Sequence, residues 1–273
     1  MAVKMMLVHA LTSLHAGSGQ GVGAIDMPIA RERATELPFV PGSTLKGCLR
    51  GEDADNHPDA FGTVEKAGTA HFSDARLLLM PLRCLGASFV WAACPYVLRR
   101  FKRDVEVSGL KEPIPAIPDL ADGQAQVATG DSLIKIGGKD RLVLEEIDFA
   151  VELKAADWSK FLGDLLFPSD EGWKKTFKSQ FAILDDKSFS HLVKFGTEVN
   201  AHVKIDRESG VAKDGMLWYQ ESLPAETVLV SLVKVSTGAD SFDGLLRERT
   251  LQIGGKASTG HGLVRFAMAG GAR

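Results

Sequence analysis

Apolar positions along this chain follow two rhythms. Ala2–Ala10 is a nearly continuous apolar run with Val3, Leu7 and Val8, and it reads as a strand entering the core. Ala75–Leu82, Ala87–Ala93, Leu142–Val151, Thr227–Val235 and Leu263–Met268 repeat that pattern and predict further strands. Helical spacing appears at Leu45, Cys48 and Leu49, where Ser43 is placed to cap. It recurs at Leu98, Phe101 and Val105, and Pro95 suits the first position of that helix. Asp157–Phe167, Gly172–Phe181 and Ser241–Gln252 predict three more helices. Strands and helices mix without the regular alternation of a doubly wound sheet, so the expected class is α+β, of ferredoxin-like type.

The interruptions carry as much information. Leu14–Gly23 holds Gly17, Gly19, Gly21 and Gly23 and is too glycine-rich for helix or sheet; Gly254–Gly262 is a second such loop. Thr197–Asp206 and Gly215–Gln220 alternate around Arg207-Glu208-Ser209-Gly210, which predicts a long polar hairpin over residues 197–220. Lys111–Asp131 is rich in Pro, Ala and Gly, fits neither rhythm, and is expected to be a surface insertion. The whole of residues 1–273 is expected to form one globular unit.

Composition narrows the class. The chain is 45% hydrophobic and 25% charged over 273 residues, enough to bury a core without covalent staples and too balanced for wholesale disorder. The uncharged run Cys84–Leu98 is shorter than the roughly 18–20 residues a spanning helix needs and contains Pro95, so no membrane association is expected. Met1-Ala2-Val3-Lys4 lacks the pattern of a signal peptide, and Cys48, Cys84 and Cys94 form no Cys-x-x-Cys pair. Reduced thiols and a cytoplasmic location follow as expectations. The formal net charge of −3 argues in bulk against a general nucleic-acid binder.

Local chemistry points the other way. Gly19-x-Gly21-x-x-Ala24 matches a dinucleotide fingerprint only loosely, because Ile25-Asp26-Met27-Pro28 cannot be the helix that such a loop must open. Successive backbone N–H groups in two glycine loops instead make concavities suited to phosphate. Lys46 and Arg50 are four apart on one predicted helix face, a repulsion of about 0.2–0.5 kcal/mol that an opposing phosphate would reverse. A further basic face carries Arg99, Arg100, Lys102 and Arg103. Asp26, between a glycine loop and Pro28, is either a catalytic carboxylate or a turn-former, and His15 is either a proton shuttle, a phosphate contact or the organiser of its own turn. Trp218 and Tyr219 on the hairpin could stack on a base. No histidine shows metal-ligand spacing.

Taken together, Leu14–Gly19, Gly23–Glu32, Pro38–Arg50, Phe72–Leu79, Phe89–Pro95, Ile205–Gly215 and the C-terminal glycine loop resemble the RAMP superfamily of CRISPR proteins, and more narrowly the repeated backbone subunit of type III-B (Cmr) complexes. That resemblance implies an RNA-recognition-motif-like core, assembly with copies of itself in a helical filament along a guide RNA, contact with other Cmr subunits, and a thumb at Thr197–Gln220 that interrupts the guide–target duplex. It implies endoribonuclease activity on target RNA, with Asp26 as the catalytic residue and the ligand of a divalent cation, Mg2+ or Mn2+. Lys46 and Arg50, with the backbone of Gly17, Gly19, Gly254 and Gly255, would hold guide phosphates; His15, Ser18, Ser43, Thr44, Lys204, Arg207 and Lys256 complete the expected RNA contacts. A single acid suffices if the RNA 2′-hydroxyl is the nucleophile, which predicts 2′,3′-cyclic phosphate and 5′-hydroxyl ends. Two competing readings remain at this level: a structural filament subunit without catalysis, and a nucleotide-dependent enzyme of small molecules using Gly17–Gly23.

Overall fold

The computed structural model describes residues 2–19, 24–53, 57–206, 208, 210–236 and 248–269. The first half of the chain forms β1 (Ala2–Ala10), β2 (Phe39–Val40), α1 (Gly42–Asp53), α2 (Pro58–Phe61), β3 (Ala70–Phe72), β4 (Ala75–Arg83), β5 (Phe89–Ala93) and α3 (Pro95–Ser108). Next come β6 (Gln124–Val127), β7 (Ile134–Ile136), β8 (Lys139–Leu144), β9 (Ile147–Glu152), α4 (Ala156–Leu166), α5 (Glu171–Ser179), β10 (Phe181–Leu184) and α6 (Asp186–Phe195). The C-terminal part contributes β11 (Glu198–Ile205), β12 (Ala212–Ser222), β13 (Val228–Val235), β14 (Arg249–Gln252) and β15 (Leu263–Ala269). The class is α+β, as the mixed rhythm predicts.

One large mixed sheet runs β14-β15-β1-β13-β4-β5-β10-β6-β9-β8-β7, with β2 added to β4 and β3 to β13. Its central strands are apolar on both sides because both faces are covered. Met5 and Leu7 of β1 join a cluster with Leu98 and Phe101 of α3, Trp158 and Leu162 of α4, and Phe189 of α6. Met6, Val8 and Ala10, pointing the other way, pack with Leu45 and Leu49 of α1 and Phe61 of α2. The alternation along one strand therefore assigns the helices to two layers. Among the described residues no helix is long and apolar enough to cross a membrane.

Local signals explain most boundaries. Pro95 opens α3 after an extended Cys94, and Gly109 closes it in the left-handed region at φ 72°. Asp170 caps α5 through the Trp173 N–H and Asp185 caps α6 through the Ser188 N–H. α6 was legible in principle: Phe189, Leu192 and Val193 have helical spacing behind that Asp.

Several expectations need correction. Lys111–Asp131 is not wholly a surface insertion, since β6 lies inside the sheet between β10 and β9 with Ala125 and Val127 buried. Its alternation is only four residues long and two of them are glutamines, so the apolar signal is faint. Leu142–Val151 is two strands, broken at Glu145 (φ 50°). Gly172–Phe181 ends as a helix at Ser179, and Phe181 already belongs to β10. For the predicted helix Ser241–Gln252, residues 241–247 lie outside the described residues and Arg249–Gln252 is strand, paired with β15.

β11 and β12 form a separate two-stranded sheet in which Glu198 pairs with Ser222 and His202 with Trp218. Hence Thr197–Gln220 does contain a hairpin, with a register shift between Val203 and Ile205. β12 leads through Leu223 back to β13, so the hairpin's foot is anchored at the centre of the large sheet.

Candidate nucleic-acid interface and active site

Four segments that are remote in sequence converge beyond the end of β1. Leu14–Gly19 continues that strand and is bridged to its neighbours at Leu14–Leu223, His15–Gly255 and Gly17–Ile29. Ala24–Ala30 lies against β12: the Met27 N–H donates to the Tyr219 carbonyl at 3.0 Å, and the Glu221 N–H donates back to the Met27 carbonyl at 3.0 Å. The C-terminal loop closes the group, with the Gly255 N–H donating to the His15 carbonyl at 2.9 Å and the Gly262 N–H to the Ser13 carbonyl at 2.8 Å. Together they border a cleft of about 660 Å³ lined by His15, Gly17, Gly19, Asp26, Met27, Trp218 and Lys256.

Asp26 is exposed, but its carboxylate is aimed. Oδ2 accepts the Tyr219 N–H at 2.7 Å, and among the described residues Oδ1 takes no hydrogen bond. The loop behind it is fixed by Glu221, a carboxylate only 4% exposed. Glu221 accepts from the Ile29 N–H at 3.0 Å, from Arg31 Nη2 at 2.6 Å and from Thr197 Oγ1 at 2.8 Å. These bonds fasten both the Asp26 loop and the start of the hairpin to one buried anion, satisfying it as a buried charge requires. The next residues extend the anchorage. Glu32 pairs with Arg100 of α3 at 2.9 and 2.7 Å, and Glu36 with Lys194 of α6 at 2.7 Å. The Lys194 contact holds the Glu36 carboxyl below the usual carboxylate range.

His15 is buried, and its Nδ1 lies 2.6 Å from the Glu221 carbonyl. A carbonyl only accepts, so Nδ1 carries the proton of that bond and Nε2 is the nitrogen left for chemistry. Gly17 is small for a reason: a Cβ there would come within 2.9 Å of His15 Nε2. Gly254, at φ 76°, passes so close to the His15 carbonyl oxygen that a Cβ would collide with it. Lys256 is also left-handed (φ 66°) although it is not glycine, a conformation that costs on the order of 1–3 kcal/mol. Its Nζ lies 5.9 Å above the Trp218 ring, which stacks on His202 at 5.5 Å and 15°.

The expected RNA contacts therefore divide. His15, Gly17, Gly19, Asp26 and Lys256 line one cleft, whereas Ser18 and Gly255 are chain neighbours of lining residues and do not line it. The N–H groups of Ser18 and Gly255 are not available to phosphate, because they donate to the carbonyls of Pro28 and His15. Ser43, Thr44, Lys46 and Arg50 lie on α1, which packs beside β3 and does not line the cleft. Ser43 is not the cap either; the Gly42 N–H donates to Asp74 Oδ1 at 2.8 Å. Lys204 is exposed on β11, and Arg207 lies outside the described residues, as do Gly21, Val22 and Gly23 of the glycine loop. In the basic face of α3, Arg100 is buried in its pair with Glu32, which leaves Arg99, Lys102 and Arg103 exposed.

Met27, Arg31 and Glu221 escaped the sequence reading. A signal for Glu221 exists in Gln220-Glu221-Ser222, three polar residues ending a strand and all buried. The dinucleotide reading loses ground here, since Ala24–Ala30 after the glycines is non-helical. Among the described residues no group of three or more His, Cys, Asp or Glu could hold a metal ion.

A cleft with one aimed carboxylate, one lysine on an indole face and glycine in its walls is suited to a phosphodiester ligand and a stacked base. Comparison with known proteins agrees: residues 7–265 match the RAMP superfamily, and the chain belongs to that family. It is 32% identical to the CRISPR system Cmr endoribonuclease Cmr4 of Pyrococcus furiosus, over 96% of this chain and 94% of the relative. It is 27% identical to the CRISPR system CMR subunit Cmr4 of Saccharolobus solfataricus, over 97% and 96%. The structure of oligomeric Cmr4 from Pyrococcus furiosus superposes with a TM-score of 0.77 at 25% identity, covering 100% of both chains. The fold also matches a chain of the type III-B Cmr-beta complex bound to cognate target RNA, with a TM-score of 0.74 at 21% identity and coverage of 98% and 97%.

Proposed function

We propose that this chain is the repeated guide-binding subunit of a type III-B CRISPR effector and that it cuts guide-paired target RNA at the cleft beside Asp26. The likeness to Cmr4 over nearly all of both chains supports the assignment of activity, self-assembly and partnership with other Cmr subunits. The observation that carries the chemistry is the Asp26 carboxylate, held at the foot of the hairpin by the Tyr219 N–H at 2.7 Å. A hairpin acting as a thumb would part the duplex next to Asp26, the one carboxylate among the described residues that line the cleft. A nucleotide splayed there brings its own 2′-hydroxyl into line with the adjacent phosphorus, and alignment alone removes several kcal/mol of barrier (on the order of 7–11 in the best cases).

Asp26 Oδ1 then accepts the 2′ proton, which is work for one carboxylate. A divalent cation, Mg2+ or Mn2+, would be held by Asp26 together with oxygen ligands supplied by the RNA and water. When bound it would supply charge neutralisation at the phosphate. The Arg31–Glu221 pair keeps the loop and hairpin in register, and His15 Nε2 stands within the same walls to handle a proton. Lys46 and Arg50, with Ser43 and Thr44, form a separate guide-binding surface on α1.

Asp26→Asn tests the proposal, because an amide oxygen can still accept from Tyr219 while the negative charge is gone. In the reconstituted complex, cleavage should fall at least 100-fold with guide retention and target binding unchanged, and the evenly spaced cuts of the unsubstituted complex should end in 2′,3′-cyclic phosphate. Unchanged cleavage would leave the structural-subunit reading standing; 3′-hydroxyl ends would exclude attack by the 2′-oxygen.

A further inference from the structure

We propose that Lys256 is a catalytic residue of this cleft, the cation that meets the scissile phosphate of the target strand and not a ligand of the guide. The inference rests on reading the cleft as a ribonuclease site. By sequence, Lys256 is one more basic residue in a glycine loop. In the fold it is separated from the basic residues of α1 and lines the same cleft as Asp26, where it is the one lysine or arginine among the described lining residues.

Three features of its setting point to a phosphate. The backbone at Lys256 is left-handed, a conformation glycine would adopt without strain, and it is over-determined. The Lys256 carbonyl accepts from the Thr259 N–H at 3.0 Å, from Thr259 Oγ1 at 2.9 Å and from the His261 N–H at 3.3 Å. A residue with a long cationic side chain therefore occupies a strained position that aims it. Next, the ammonium rests over the Trp218 ring, and among the described residues no carboxylate pairs with it. An aromatic face holds a cation while leaving its N–H donors free for a second, anionic partner. Finally, the indole that carries the ammonium is itself held in place, stacked on His202 at 5.5 Å and 15°, so the cation rests on a fixed platform inside the cleft.

The step balances without further reagents. The O2′–P bond forms as the 2′ proton passes to Asp26 Oδ1; the P–O5′ bond breaks, and the departing 5′ oxygen takes a proton from water. Asp26 later releases its proton to solvent. Between these events the phosphorane carries one more negative charge on its non-bridging oxygens than the ground state does. Lys256 exchanges no proton in this step and is placed to neutralise that charge.

The test uses the complex reconstituted with guide RNA, under single-turnover conditions at saturating target. Lys256→Asn removes the ammonium but tolerates the left-handed backbone, and Lys256→Arg keeps the charge. The Asn variant should cleave about 100-fold more slowly, a loss typical of removing one donor to a developing anion. Its guide retention and target affinity should stay within about twofold, and the Arg variant should recover most of the rate. The proposal is overturned if the Asn chain cleaves normally, if its defect is matched by lost guide retention, or if Arg is as slow as Asn. Lys256→Gly, which relaxes the backbone, replaces Asn if that chain fails to assemble. Asp26→Asn in the same assay separates the two claims. An inactive Asp26 variant beside a normal Lys256 variant removes only the role of Lys256, whereas normal cleavage by Asp26→Asn removes the ribonuclease reading itself.

Discussion

Gly42–Arg50 and Gly254–Gly262 look alike as sequence: each mixes glycine, small hydroxyl residues and a lysine, and each suggests a phosphate site. In the fold they differ in every respect that matters for chemistry. The first is a helix whose Leu45 and Leu49 are buried in the core, whose Lys46 is half-buried and whose Arg50 is exposed. Gly47 there has nothing within 4 Å of where a Cβ would stand. The second is a left-handed, irregular loop packed on the backbone of His15, where Gly254 and Gly262 leave no room for a side chain. In mid-α1 glycine is incidental, although Gly42 at its start is not, since a Cβ there would stand 2.4 Å from the Phe72 carbonyl oxygen; in the C-terminal loop Gly254 and Gly262 are conditions for closing the cleft. The lesson is that a glycine-and-lysine signature reports phosphate affinity only after the backbone has been placed.

The largest effect should come from the loop. Gly254→Ala imposes a side chain where φ is 76° and where a Cβ would strike the His15 carbonyl, so the strand extension carrying His15 must move. A loss of about 2–4 kcal/mol is expected from the backbone penalty and the overpacking together. Chemical denaturation of the isolated chain would measure it, and target cleavage should fall with it because Gly255 is bridged to His15. A neutral Gly254→Ala would mean that the loop is as permissive as α1 is at Gly47, and the contrast would collapse. Gly47→Ala is the smaller counterpart and has the opposite sign. With no contact to lose in mid-helix, alanine should stabilise by about 1 kcal/mol and raise the melting temperature by a few degrees. Destabilisation would show that α1 packs more tightly at Gly47 than its surroundings indicate.

Sequence made these two segments visible without ranking them, for a physical reason. Apolar periodicity fixes which residues turn inward, and it located β1, β4, β5, β13, α1 and α3 because each buries a face of the central layers. It under-reported β6 and β14, whose four-residue spans hold too few apolar positions to make a period. In the candidate site, Asp26, His15 and Lys256 were visible because each is a polar residue in or at the edge of a glycine-rich loop. Glu221 did not, although it ties the site together. Its meaning comes from being buried, and burial there depends on Arg31, nearly two hundred positions away, arriving at 2.6 Å. No local window contains that pairing. The same holds for the foot of the hairpin, where Met27 bridges to Gln220.

The smallest effect separates the two lysines. Lys46, half-buried on α1 and outside the cleft, should act on guide RNA as one positive charge near the phosphate chain. Replacing it with alanine removes one counterion-releasing contact, so guide affinity should drop by a similar factor for every guide sequence. The dependence of log K on log salt should become shallower by about 0.7–0.9, the slope one phosphate contact contributes. Target already bound by the assembled complex should be cut at the unsubstituted rate, because α1 contributes no residue to the cleft walls. Filter binding across a salt series with several unrelated guides measures the first part, and single-turnover cleavage at saturating target measures the second. A loss confined to particular guide sequences would mean that Lys46 reads bases. A slowed cut with normal binding would place α1 in the chemistry and erase the distinction from Lys256.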